Sequence, residues 1–261
     1  MIRRWDTRVG PPSAYTPGNG ERLEPLRRPR PHDPGRIVVA RRRILAVVAH
    51  PDDESFGLGA ILSTFARGGA ATSVLCFTHG EASTLHGVAG ELSTVRAREL
   101  EDAAQVLGVG EVRLLDHPDG GLPDVGIDTL AGDLLAMADT TLPDLLLVFD
   151  EGGVTGHPDH RRATEAACHA VRSRQLQVAA WALPDYVAQS LNAEFGTGFV
   201  GRSPSELDFR LRVDRSCQRQ AITCHRSQSR ENPALQRRLD LLGDTEWLRI
   251  LEGDAVSTNQ T

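Results

Sequence analysis

The sequence predicts an α/β fold: a Rossmann-like, doubly wound, mainly parallel sheet in a three-layer α/β/α arrangement. Three observations point there. Short apolar runs alternate with helical segments from Arg43 onward, metal-ligand side chains follow two of the most apolar runs, the second after a Gly-rich loop, and 261 residues with 40% hydrophobic content suit one soluble catalytic domain.

Ile44 to Ala49 reads as a buried strand, Gly57 to Ala66 as a helix, Thr72 to Thr78 as a strand, and Leu92 to Leu107 as a long helix stopped by Gly108. Val112 to Leu115 reads as a short strand, Ile127 to Ala138 as a helix, Asp144 to Phe149 as a buried strand, Pro158 to Ser173 as a helix and Val178 to Leu183 as a strand. This alternation specifies parallel strands joined by helical crossovers, with helices on both faces. Beyond Pro184 the pattern loosens, with helices around Arg215 to Ser227 and Pro233 to Leu242. Gly120 to Val125 and Tyr186 to Ser205 are expected to contain the pocket loops, and Tyr186, Phe195 and Phe199 are open to either lining or packing.

Residues 1–42 form a Pro/Arg-rich segment without helical or strand period, expected to be an extended or mobile arm, and 43–261 the single catalytic domain. Up to Arg43 there are 11 Arg against 4 acids, whereas the whole chain carries −6, so the body is acidic. A basic arm without interleaved aromatics on an acidic body reads as a solvated tail, and no nucleic-acid partner is expected. No apolar run is long enough to span a bilayer and no h-region follows Met1, so the expected setting is cytoplasmic. Oligomeric state is open, a homo-oligomer included.

The residue inventory excludes several chemistries. All 29 basic residues are Arg, which removes Schiff-base lysines, Ser-Lys dyads and Walker-type phosphate loops. Neither G-x-S-x-G nor a strand-linked G-x-G-x-x-G occurs. The four cysteines form no C-x-x-C pair and read as reduced thiols.

The chemistry lies in two segments. His50-Pro51-Asp52-Asp53-Glu54 follows the first buried strand, and Gly156-His157-Pro158-Asp159-His160 follows the strand ending at Phe149 after a Gly-rich loop. Loops after such strands meet at one carboxyl edge of a doubly wound sheet. His50 and Asp53 are three residues apart; so are His157 and His160, one of which could ligate while the other acts on substrate. Two histidines and one carboxylate with an open fourth position is a catalytic Zn²⁺ pattern, and the uncoordinated Asp52 is the expected general base. Glu54 reads as a helix-start carboxylate.

These paired motifs resemble the LmbE-like, or PIG-L, family of zinc-dependent N-deacetylases. The likeness extends through Thr78-His79-Gly80-Glu81, Arg96-x-x-Glu99-Leu100, Leu115-Asp116-x-Pro118-Asp119-Gly120 and His225-Arg226-Ser227-Gln228, covering roughly Arg43 to Gln228. It implies that His50, Asp53 and His160 bind one Zn²⁺ per chain, with Fe²⁺ or another divalent ion as the alternative. Asp52 would then take the proton from the attacking water, His157 would stabilise the oxyanion, and Asp159 would orient a neighbouring histidine. Arg96 and Asp119 match positions that contact substrate in this family, and His225 and Gln228 could line the pocket or serve as structural polar contacts. The implied substrate is an N-acetylated amino sugar or its conjugate. Thr155 stands where some sugar-inositol-specific relatives carry a Tyr, and a Thr cannot replace that phenol. The competing readings are a metal-dependent hydrolase of another amide or a phosphoester, and a non-catalytic α/β binding module.

Overall fold

Alternate residues of the central strands enter opposite cores. In the first long strand Ile44, Ala46 and Val48 pack on one face and Leu45 and Val47 on the other; the strand ending at Phe149 repeats this with Leu145, Leu147 and Phe149 against Leu146 and Val148. A strand apolar on both sides must be covered on both sides, which is what the helices do. The computed structural model describes residues 24–25, 42–84, 91–172, 174, 176–230 and 232–251.

The described elements begin with β1 (Glu24–Pro25), β2 (Arg43–Val48), α1 (Asp53–Phe56), α2 (Gly59–Arg67), β3 (Ala71–Thr78), α3 (Leu92–Leu107) and β4 (Glu111–His117). A 3₁₀ turn at Leu122–Asp124 leads to α4 (Ile127–Thr141), β5 (Leu145–Phe149), the short turn α5 (Gly153–Gly156), α6 (Pro158–Val171), β6 (Gln177–Trp181) and β7 (Leu183–Pro184). The rest comprises α7 (Asp185–Phe195), β8 (Gly201–Arg202), β9 (Phe209–Arg212), α8 (Ser216–Cys224), α9 (Arg226–Ser229), α10 (Pro233–Leu242) and β10 (Thr245–Leu251).

The main sheet has the order β1-β9-β10-β6-β5-β2-β3-β4. Strands β2 to β6 pair in parallel, and β10, β9 and β1 extend the β6 edge antiparallel. Helices α4 and α6 pack on one face through Leu130, Leu134, Met137, Ala163 and Ala167; α2 and α3 cover the other through Ile61, Leu62, Phe65, Leu100 and Leu107. The mainly parallel, doubly wound α/β sandwich expected from the sequence is the architecture found. From β2 the chain builds outward to β3 and β4, then returns to lay β5 and β6 on the other side of β2. The winding therefore reverses between β2 and β5, and loops after those two strands open a crevice at their carboxyl ends.

Several expectations need correction. The helix expected over Gly57 to Ala66 is α2, which begins two residues later at Gly59; a separate short helix, α1, precedes it, and the two are divided at Gly57 and Leu58. A Cβ at Gly57 would lie 2.6 Å from the Phe149 ring and 2.9 Å from Trp181, so only glycine allows this approach. Of the range Tyr186 to Ser205, expected to contain a pocket loop, the first part up to Phe195 belongs to the 11-residue α7, with Val187, Ala188 and Leu191 buried and Gly196 in a left-handed C-cap. Tyr186 and Phe195 lie on its exposed side, while Phe199 reaches the crevice. The alternation of Phe209 and Leu211 inward with Arg210 and Arg212 outward makes β9, an unexpected strand. The expected arm falls outside the described residues, except for residue 42 and for Glu24–Pro25, which pair with Arg210 and Phe209.

Candidate active site

The loop after β2 turns tightly because the Asp52 and Asp53 amides both donate to His50 O, at 3.0 and 3.2 Å. Asp53 Oδ2 then accepts the Ala49 and His50 amides at 3.2 and 3.0 Å, which pins the carboxylate and leaves Oδ1 facing the crevice. Across it, α6 starts at Pro158 with His157 as its N-cap; the Asp159 amide donates to His157 Nδ1 at 3.2 Å. In neutral His157 that bond assigns the remaining proton to Nε2.

His50 Nδ1 lies 3.2 Å from His160 Nε2, Asp53 Oδ1 lies 3.2 Å from that same nitrogen, and Asp53 Oδ2 is 3.6 Å from His50 Nδ1. The two 3.2 Å separations match edges of a tetrahedral site, about 3.3 Å when ligands sit at roughly 2.0–2.1 Å. The outer nitrogens fit as well. His160 Nδ1 is 3.0 Å from Gly153 O, an acceptor that leaves Nε2 unprotonated, and 3.1 Å from Thr155 Oγ1. His50 Nε2 faces Asp119 Oδ1 at 3.0 Å and Asp159 Oδ2 at 3.3 Å, so its proton can sit there while Nδ1 keeps its lone pair. The residues present therefore fit a divalent ion. His157 also brings a nitrogen within 4.8 Å of those of His50 and His160, as do Asp119 and Asp159 their oxygens around His50.

Protonation follows from these contacts. Burial opposes charge on His50, but hydrogen bonds with Asp119, Asp159 and Asp53 outweigh it and hold its pKa well above the usual value. Burial would raise the Asp53 pKa, yet the charge and hydrogen bond of His160 keep it well below the carboxylate range. For Asp52 burial wins over the charge of Arg96, and its pKa is raised, which suits a group that must accept a proton. Burial, then the charges of His50 and His160, lower the pKa of His157.

Arg96 and Asp119, expected at the substrate, both line the cavity but are also engaged by the protein. Arg96 Nη2 reaches Asp52 Oδ2 at 3.0 Å and Pro51 O at 3.0 Å, and Nη1 donates to Gly80 O at 2.6 Å. Its position holds the Asp52 loop. Gly80 has φ +64°, and a Cβ there would overlap the Arg96 guanidinium at 2.2 Å. Asp119 Oδ2 accepts the Ala82 amide at 2.8 Å while Oδ1 faces His50. Asp159 is fully buried and accepts the Gly120 amide at 2.8 Å and the Leu122 amide at 3.3 Å, so it braces the loop after β4 as well as His50.

Glu54 is more than a helix-start carboxylate. It is fully buried, with Oε1 2.7 Å from His225 Nε2 and accepting from Ser55 Oγ at 2.6 Å. Its neighbour in sequence to two site acids was the only available signal. Arg238 was missed altogether, yet it lines the same cavity of about 450 Å³ with Phe56, Phe149, Phe199 and Gln228.

The sequence profile described as "PIG-L: GlcNAc-PI de-N-acetylase" matches residues 45–171. A 1D-myo-inositol 2-acetamido-2-deoxy-alpha-D-glucopyranoside deacetylase from Nakamurella multipartita is 30% identical over 273 residues, covering 82% of this chain and 90% of that protein. The chain belongs to the PIG-L family. The Kineococcus radiotolerans protein of that same name is 37% identical over 161 residues, 50% of this chain and 45% of its own. The chain thus spans about half the length of several curated PIG-L relatives it matches. Among solved structures, N,N'-diacetylchitobiose deacetylase from Pyrococcus horikoshii superposes with a TM-score of 0.61 at 23% identity, over 83% of this chain and 88% of that one. The 4-carboxy-2-hydroxymuconate hydratase GalB from Pseudomonas putida also reaches 0.61, at 18% identity over 84% and 100%. The PIG-L fold alone therefore does not select a reaction.

Proposed function

We propose that this protein is a metal-dependent N-deacetylase that hydrolyses the N-acetyl amide of an amino sugar or its conjugate, with residues 43–261 as the catalytic domain. The convergence of His50 Nδ1, His160 Nε2 and the Asp53 carboxylate within 3.2–3.6 Å, beside an unliganded Asp52, carries this reading. The deacetylase names of its relatives support the choice of bond.

His50, Asp53 and His160 would hold the ion, Zn²⁺ by preference for this N₂O set, and it would supply Lewis acidity toward the amide carbonyl and lower the pKa of water. Asp52, its pKa raised by burial, takes the proton from the attacking water. Arg96 fixes the direction of that carboxylate through the 3.0 Å contact and keeps it from swinging onto the ligand set. His157 presents Nε2–H toward the cavity, where it donates to the oxyanion as the carbonyl carbon becomes tetrahedral. The proton held by Asp52 is then available for the departing amine, leaving acetate and a free amino sugar.

The test is release of free amine from a panel of N-acetylglucosamine conjugates, before and after chelation and after Zn²⁺ return. Amine release that stops with chelation and returns with Zn²⁺ supports the proposal. Release unaffected by chelation, or none from any conjugate by Zn²⁺-loaded protein, overturns it.

A further inference from the structure

Three arginines are buried in the described structure: Arg96, Arg215 and Arg238. Two have a carboxylate. Arg96 has Asp52 at 3.0 Å, and Arg215 Nη1 has Glu246 at 2.5 Å. Arg238 is 5% exposed and, among the described residues, meets no carboxylate within ion-pair distance. Its Nη2 donates to Phe56 O, its guanidinium carbon sits 5.0 Å from the Trp181 ring centroid, and its Nε is buried without a partner. Glu246 acts on it by charge alone, since its oxygens are hydrogen-bonded to Arg215 and to Trp181 Nε1, the latter at 2.7 Å. Burial pushes the Arg238 pKa down to about 10, against the opposing charges of Glu246 and Asp53.

A buried guanidinium with donors left unbonded is costly, even where carboxylates act on it from beyond hydrogen-bond distance. Here the open direction is the catalytic cavity, which Arg238 lines beside the apolar Phe56 and Leu235. Low-polarity walls strengthen a charge-assisted hydrogen bond and leave neutral groups little to gain. Arg238 also stands two rings from the ligand set: His160 packs edge-on to Phe149 at 4.8 Å, and Phe149 packs on Trp181 at 5.1 Å. That places it within one substrate's reach of the amide.

The geometry points to Arg238 as the residue that selects substrates carrying an oxyanion, a carboxylate or a phosphate, on the part of the molecule beyond the N-acetyl group. The inference rests on the deacetylase reading of the same cavity. It departs from the uncharged inositol glycoside named for the curated relatives.

Three N-acetylglucosaminides separate the cases: the neutral methyl glycoside, the 1-phosphate, and a glycoside whose aglycone bears a carboxylate. The readout is the ratio of kcat/KM for each anionic substrate to that for the neutral one, in the Zn²⁺-loaded full chain. The wild type is expected to favour one anion, which identifies phosphate or carboxylate, and Arg238→Gln to lower that ratio by roughly 10- to 100-fold. Arg238→Lys, which keeps charge but loses the planar fork, should fall between them, and it decides the matter if the Gln variant does not fold. A wild type without anion preference, or variants that lose neutral and anionic turnover in equal proportion, would overturn the inference while leaving the deacetylase intact. If no substrate turns over, the deacetylase reading fails and calorimetric titration with inorganic phosphate and with acetate decides the anion site. Affinity for either that drops in Arg238→Gln upholds it; equal affinity or no binding sinks it.

Discussion

Two histidine–carboxylate clusters lie within a few residues of each other in this protein, and only one opens onto a cavity. Around His50, donor atoms from β2 and β5 loops converge with lone pairs facing a cavity, while the outer nitrogens of His50 and His160 are held by Asp119, Asp159 and Gly153. Around His225 the same residue types form a closed pair. Glu54 and Ser55 meet one ring nitrogen, Phe56 packs edge-on at 5.6 Å, and neither His225 nor Glu54 is exposed at all. Among the described residues His225 Nδ1 and Glu54 Oε2 have no hydrogen-bond partner, and neither residue lines the cavity. The difference teaches that composition does not make a metal centre; convergence and access do.

The strongest way to break this comparison is to remove one histidine from each cluster. His50→Ala should lose both the ion and essentially all turnover, whereas His225→Ala should keep about one ion per chain by elemental analysis. Loss of the ion from both would erase the distinction. Next in size, Asp52→Asn should retain the ion and lower kcat by about 10²–10⁴-fold, read from steady-state amine release; near-normal kcat would remove Asp52 as the base.

Glu54→Gln probes the closed cluster through stability. Breaking a buried pair costs on the order of 3–5 kcal/mol, measurable by urea denaturation, with ion content unchanged. Its pH dependence also has a sign. Burial disfavours the His225 cation, but the Glu54 charge and hydrogen bond prevail and raise the folded pKa. The stabilisation is therefore fully present below about pH 6.5, the ordinary histidine value, and is lost as pH rises through the folded pKa. In chelator-treated protein the wild type should lose stability on that rise more steeply than Glu54→Gln, and parallel curves would contradict the assignment. The smallest effect is expected for Thr155→Val. It removes one of two contacts to His160 Nδ1 and keeps Gly153 O, so ion affinity should fall by about tenfold or less.

Much of the open cluster was legible because its signals are local. An apolar run followed by His50, Asp52 and Asp53, and a Pro-started helix carrying His157 and His160, can each be read without the rest of the chain. Arg96 and Asp119 were legible as site residues but not in the contacts they make, since Arg96 meets Asp52 from a helix more than forty residues away. The closed cluster was illegible for that same reason: Glu54 and His225 are 171 residues apart. Helix α7 and strand β9 had usable signals, a left-handed Gly196 stop and strict in-out alternation, overshadowed by the irregular composition beyond Pro184.

By itself the sequence determined the alternation of buried strands and amphipathic helices, the side chains delivered to the carboxyl ends of β2 and β5, and the absence of lysine chemistry. Those properties depend on local periodicity and residue type. The tertiary structure alone decided which nitrogen of each histidine faces a possible ion, which acids brace His50, that Glu246 is hydrogen-bonded to Arg215, and that Arg238 lines the cavity with no carboxylate at ion-pair distance among the described residues. Partner choice among buried polar groups is settled by packing between distant segments, where each charge must find a counterpart within a few ångströms or go without.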